Sequence, residues 1–155
     1  MKALTHSVQK ISITTGLVTS VALITYFLIM TFLGLARILE FRFFNFFILL
    51  AAVWYAINKL KREHEGEDFY LRGMWVGIYT SAIAVFVFAV FVSLYLSFLD
   101  PEFMKYIQSI VSHGPVLTSP AICLILTSEG LASGAIITFS AMQFLKSTSH
   151  SHLPE

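Results

Sequence analysis

Charge is what this sequence has least of. Only 12% of its 155 residues are Asp, Glu, Lys or Arg, and the formal net charge is +1, where a soluble domain carries about 25% charged residues. That scarcity excludes a soluble enzyme and a disordered chain. It also excludes a nucleic-acid binder, which needs a much stronger basic field. Cysteine is almost missing: Cys123 stands alone, so an intramolecular disulfide, a CxxC redox pair and a cysteine zinc site are all ruled out. The histidines, His6, His64, His113, His150 and His152, avoid the long apolar stretches. This argues against a haem held between helices, which needs histidines projecting into a bundle. There is no HExxH, no P-loop, no nucleophile elbow and no pair of carboxylates within an apolar run. The polar connectors are too short for a catalytic domain. No enzyme activity, metal or cofactor is expected.

What is abundant is apolar surface. Hydrophobic residues make up 57% of the chain, Phe alone occurs 15 times, and mean hydropathy is +0.79. A helix needs about 20 apolar residues to cross the hydrocarbon core. Four segments qualify, at about 11–36, 41–60, 73–99 and 120–145. The apolar residues come in unbroken runs without alternation, which disfavours a strand-built barrel. The fold class is therefore an all-α membrane protein, one polytopic domain over residues 1–155. The first run is about twice the length of a signal-peptide core and is expected to be a retained span. Arg37, Glu40 and Arg42 mark a tight turn. The charged run from Lys59 to Asp68, with Gly66 as a helix-ending residue, marks a solvated connector.

Basic residues set the orientation. With both termini inside, Lys2, Lys10, Lys59, Lys61, Arg62, Arg72 and Lys146 are cytoplasmic and Arg37, Arg42 and Lys105 are outside. Both termini are thus expected in the cytoplasm. Trp54, Tyr55 and Trp75 suit an aromatic belt on the inner side. Between the third and fourth spans, Asp100 is a good N-cap, Pro101 suits the first helical position, and Glu102 favours the positive end of the helix dipole. Phe103, Met104, Ile107, Ile110 and Val111 form one helical face, and Gly114-Pro115 ends the segment. A short amphipathic helix at about 101–113 is expected to lie at the outer interface. Ser119-Pro120 repeats the cap-and-proline signal and opens the last span.

Within lipid, helices associate by close packing, so small residues mark contact faces. Gly73, Gly77, Ser81 and Ala84 form such a stripe on the third span, Gly130, Gly134 and Ala141 on the fourth, and Ser12, Gly16 and Ser20 on the first. Either intramolecular packing or a homodimer would use them. The second span, with Phe43, Phe44, Phe46 and Phe47, is expected to be the most lipid-exposed. Glu129 is the one acidic residue inside a span. At about 1.5 Å per residue it lies roughly 14 Å from Pro120, a depth at which a carboxyl is costly unless protonated, hydrogen-bonded or facing a wet cavity. Tyr26, at similar depth, and the shallower Asn45 are its candidate polar companions. Two other readings stay open. Glu129 is a structural carboxyl, or a helix starts at Thr127-Ser128 and leaves Glu129 in the headgroup layer.

The stretch from Gly66 through Phe69 into the helix bearing Gly73 and Gly77, closing with Phe98-Leu99-Asp100-Pro101-Glu102-Phe103, resembles a family of small bacterial four-helix inner-membrane proteins, the domain of unknown function four-one-nine-nine. The resemblance implies a bacterial inner-membrane protein of this topology and supplies no activity and no site residues. Three classes of function follow from the residues. The first is an accessory or scaffold subunit of an inner-membrane assembly, with the lipid bilayer and other membrane subunits, or copies of itself, as partners. The second is a small oligomeric proton- or ion-coupled transporter or channel using Glu129. The third is a lipid-acting enzyme, for which no constellation of residues is present.

Overall fold

The computed structural model describes residues 2–35, 43–63, 69–110 and 117–149. The turn at Arg37, Glu40 and Arg42 lies outside the described residues, as do Gly66 with its acidic neighbours, Val111 through Pro115, and the tail bearing His150 and His152. The described residues form helices α1 (Lys2–Phe32), α2 (Phe43–Glu63), α3 (Phe69–Leu94), α4 (Pro101–Ile110) and α5 (Ser119–Ser149), with a π turn at Tyr95–Leu99 closing α3. Four spans are long and apolar enough to cross a membrane: Val8–Phe32, Phe43–Glu63, Phe69–Leu99 and Ser119–Leu145. The protein is a multi-pass α-helical membrane protein.

Local chemistry explains where the helices stop. The sequence suggested that the first span runs to about residue 36, with charge ending it. Instead α1 stops at Phe32 because Gly34 takes a left-handed conformation, φ +71°. Leu35 N–H donates to Met30 O (2.9 Å) and Gly34 N–H to Thr31 O (3.0 Å). These are the two bonds of a Schellman cap, which satisfies the last carbonyls before the chain leaves the helix. At the start of α4 the Asp100 carboxylate accepts from Phe103 N–H at 2.9 Å, as its position before Pro101 suggested. The cap of α5 differs by one residue. Thr118, not Ser119, is the N-cap, accepting through its hydroxyl from Ala121 N–H (3.4 Å) and through its carbonyl from Ile122 N–H (3.0 Å). Pro120 has no N–H to be satisfied, so the donor the Thr118 side chain meets in the first turn is that of Ala121.

Helix α3 is the axis of the bundle. It is the most apolar span and is buried along its length, from Gly73 and Val76 to Val92. Helices α1 and α5 cover two of its sides. Their packing pairs show that α1 runs parallel to α3, with Ser12 at Val76 and Phe27 at Phe91, whereas α5 runs antiparallel to it. Helix α2 touches all three. Its N-terminal part carries the exposed Phe43, Phe44, Phe46 and Phe47, in line with a lipid-facing helix, but its C-terminal half is core. Val53, Ala56, Ile57 and Leu60 are completely buried there. The mixture of alanines and branched residues lets this half sit against α3, which the bulk of the phenylalanines would not allow.

The two ends of the bundle are filled differently. The end nearer α4 is aromatic: Phe27 packs edge-on against Phe88, Phe91 and Tyr95, the last at 5.3 Å between ring centres. The buried Phe103 of α4, together with Met104 and Ile107, lies against this same cluster with Leu96 and Ile122. The apolar face of α4 is thus turned onto the bundle, and Lys105 and Ser109 point away. Gln108 donates to Leu117 O at 2.8 Å and ties α4 to the entry of α5. At the opposite end, Ile11, Ala56, Leu60 and Val76 join three helices in an aliphatic cluster. Trp54, Tyr55 and Trp75 are exposed on its outside.

Replacing Asp100 by Ala removes the α4 cap and is expected to cost about 1 kcal/mol, with Asn retaining most of it. Gly34→Ala should cost a similar amount, about 1 kcal/mol, because an L side chain is disfavoured in the left-handed region. Thermal unfolding in detergent, read by helical circular dichroism, checks both.

Candidate functional site: two seams and a midplane carboxyl

The small residues singled out from the sequence converge on the two sides of α3. On the α5 side they interlock. A Cβ added to Gly73 would strike the Met142 side chain, one added to Gly77 would strike Thr138, one on Gly134 would strike Ser81, and one on Gly130 would strike Val85. Both helices therefore step by four in opposite directions, and holes and knobs change sides halfway along. Glycines of α3 receive side chains near its start, and glycines of α5 receive side chains near its own. The knobs' polar atoms are satisfied within their own helices. Ser81 Oγ donates to Gly77 O at 2.9 Å, and Thr138 Oγ1 to Gly134 O at 2.7 Å. Each helix thus carries a Gly-x-x-x-Ser/Thr unit whose hydroxyl folds back onto its own glycine carbonyl while the side chain, carbon and oxygen alike, lies against the partner's glycine. In hydrocarbon this combination provides close contact without leaving a polar group exposed.

The α1 side is built otherwise. Gly16 is the close-approach point: a Cβ there would lie 2.9 Å from Ile83 Cβ and 3.1 Å from Thr80 O. Around it Ser12, Thr15, Thr19 and Ser20 are all buried. Thr19 donates to Thr15 O (2.7 Å) and Ser20 to Leu17 O (2.8 Å). Ser12 alone reaches across, to Val76 O at 3.4 Å. The stripes assigned to Gly16, Ser20, Gly73, Gly77, Ser81, Gly130 and Gly134 are thus covered inside one chain.

The three polar residues singled out within the spans occupy different helices. Tyr26 of α1 is half-buried and its ring lies 6.1 Å from Phe44 of α2. Asn45, in the first turn of α2, is half-buried, and its Oδ1 is buried without a hydrogen-bond partner. Glu129 lies on α5 next to Gly130, which packs on Val85 near the middle of the Phe69–Leu99 span. By this register Glu129 stands level with the middle of the span. Its side chain is on the exposed face of the helix, beside Ile125 and Ser128. Helix α5 is unbroken from Ser119 to Ser149, so no helix begins at Thr127-Ser128. Their hydroxyls, which made that stretch look like a start, donate back to Cys123 O and Ile125 O.

Two features were missed in the sequence. Thr80 is completely buried with its hydroxyl unpartnered. A lone Thr in an apolar run gives no hint of this, because whether it bonds back four residues depends on what the neighbouring helix presents. The second is the π turn, in which Asp100 N–H donates to Tyr95 O at 3.1 Å. Ser93 Oγ, just before it, reaches Ser119 O at 3.0 Å and ties the end of α3 to the start of α5.

A family model described as "Protein of unknown function (DUF4199)" matches residues 14–113, the family whose motif the connector and third span resemble. The match takes in α2, α3, α4 and most of α1. No curated protein and no solved structure matches the chain.

The interlocked seam is tested by moving a knob across it. Gly77→Thr alone should destabilise the bundle by at least about 2 kcal/mol through overpacking. Adding Thr138→Gly should restore a large part of that loss, because the hole and the knob have changed sides. Unfolding of the two variants in a mixed-detergent titration measures the recovery, and no recovery in the double variant would mean that the register is wrong.

Proposed function

The chain belongs to this family of unknown function, and we propose that it acts as a non-catalytic accessory or scaffold subunit of a bacterial inner-membrane assembly, with both termini in the cytoplasm. The observation that carries this reading is how the seams are spent. The glycines of α1, α3 and α5 and the buried hydroxyls Ser12, Thr15, Thr19, Ser20, Thr80, Ser81 and Thr138 all lie in contacts within one chain, so these groups are taken up by packing. Large apolar residues, such as Val18, Val21, Phe86, Leu124 and Ile136, remain on the outside. A partner subunit would meet these outer faces and would not compete for the small-residue stripes.

That distinction sets the experiment. A photo-crosslinking amino acid is placed singly at Val18, Phe86 or Ile136 in the full chain in its native membrane, and the intact assembly is weighed by native mass spectrometry. The subunit reading expects one stoichiometric protein partner, captured from one face only. A lone monomer captured by lipid at all three positions would overturn it.

A second reading is favoured by one specific observation, the carboxyl of Glu129 level with the middle of a span on the outer face of α5. A proton- or ion-coupled path along that face would be completed between copies of the chain, which makes the transporter oligomeric. Reconstituted alone in vesicles, such a protein should dissipate a proton gradient, and Glu129→Gln should abolish the flux. Unchanged flux in that variant would remove Glu129 from the path.

A further inference from the structure

Hydroxyls on the spans of this protein follow a common habit. Thr19, Ser81, Thr127 and Thr138 each donate to the carbonyl four residues back, at 2.7–2.9 Å. This is the usual way for Ser and Thr to be satisfied inside a helix without water. Thr80 breaks the habit. It is 0% exposed and its Oγ1 has no partner. The carbonyl it would normally use, Val76 O, lies four residues back on the same face of α3 and instead receives Ser12 Oγ from α1. That bond, at 3.4 Å, is long for a hydroxyl donor, which prefers about 2.7–2.8 Å. The arrangement therefore holds one weak interhelical bond at the cost of one unsatisfied buried hydroxyl, where a single back-bond from Thr80 would satisfy the group outright.

The two seams of α3 also differ in what resists sliding. Toward α5, knobs project from both helices into glycines of the other, so neither can shift along its axis without a collision. Toward α1, the close approach is made by Gly16, a hole on α1 facing Ile83 and the Thr80 carbonyl.

We propose that α1 is the moving element of this protein, with two arrangements against a fixed α3–α5 pair, and that the switch between them is an exchange of donor at the Val76 carbonyl. In one, Ser12 of α1 donates and Thr80 is left unpaired. In the other, α1 is displaced and Thr80 donates back within α3. Both arrangements keep the α3–α5 seam intact, and the exchange does not depend on whether the chain works beside a partner subunit or alone.

Electron-spin distance measurement on the full chain in nanodiscs of phosphatidylethanolamine and phosphatidylglycerol tests this. In a Cys123→Ala background, nitroxides at Val18→Cys and Phe86→Cys report the α1–α3 seam, and nitroxides at Phe86→Cys and Ile136→Cys report the α3–α5 seam. All three positions are exposed. The α1–α3 pair should give two distances, or a spread at least twice that of the α3–α5 pair. Thr80→Val removes both the unpaired hydroxyl and the competing back-bond, so it should collapse the spread to the Ser12-bonded distance. Thr80→Ser, which keeps the hydroxyl, should leave both populations. Ser12→Ala should shift the population to the other arrangement. An unchanged α3–α5 distance certifies that each variant is folded, and Ser12→Ala and Thr80→Ser decide the matter if Thr80→Val fails that check. An α1–α3 spread as narrow as that of α3–α5, or one that responds equally to Thr80→Val and Ser12→Ala, would overturn the proposal.

Discussion

The close approach of α3 and α5 is the constraint on which the rest of the bundle depends. Two helices in hydrocarbon gain nothing by excluding water, so they stay together only where their surfaces fit closely and their polar atoms are already satisfied. The paired Gly-x-x-x-Ser/Thr units meet both conditions at once. Each hydroxyl is held by its own helix, and each glycine admits the facing knob. Once α3 is fixed in this way, its remaining faces define where α1 and the alanine-bearing half of α2 must lie. The aromatic cluster around Phe27 then fills the end nearer α4.

The same helix thus serves two neighbours by different means. Toward α5 the fit is two-sided and the backbone directions oppose. Toward α1 the directions agree, the hole is one-sided, and the bond that Ser12 makes across the seam is long. These are different solutions to one problem. Helix α4 adds a third kind of contact. Its apolar face covers one end of the bundle while its cap at Asp100 follows directly on the π turn, which buries Leu96 and turns Phe98 and Leu99 outward.

Much of this was legible in the sequence because membrane spans are specified redundantly. Composition, run length and interrupting charge all point to the same four helices, and the stripes of Gly73, Gly77, Gly130 and Gly134 identified the packing faces. What sequence could not supply was pairing. A stripe says that something approaches closely, and only the register says that Gly77 receives Thr138. The end of α1 was misjudged because charge at Arg37 was given more weight than glycine at Gly34, although a left-handed cap is a local backbone event that needs no charge. Helix α2 was expected from its phenylalanines to be the more lipid-exposed helix, and its alanine-bearing half is core. For Glu129 the sequence left a deep and a headgroup-layer position open, because the level and face it occupies depend on where α3 sits, which its own neighbours in sequence do not reveal.

The order in which the helices are made gives the α3–α5 seam a further meaning. Helix α5 leaves the ribosome after α1, α2 and α3, and the side of α3 that carries Gly73 and Gly77 is filled mainly by side chains of α5. Until α5 enters the bilayer, that groove faces lipid, and the three earlier spans are joined by the α1 contacts and the alanine-bearing half of α2. The close packing of α3 is therefore completed only when α5 is inserted. A membrane quality-control system that samples exposed glycine grooves would tell the chain before that step from the chain after it.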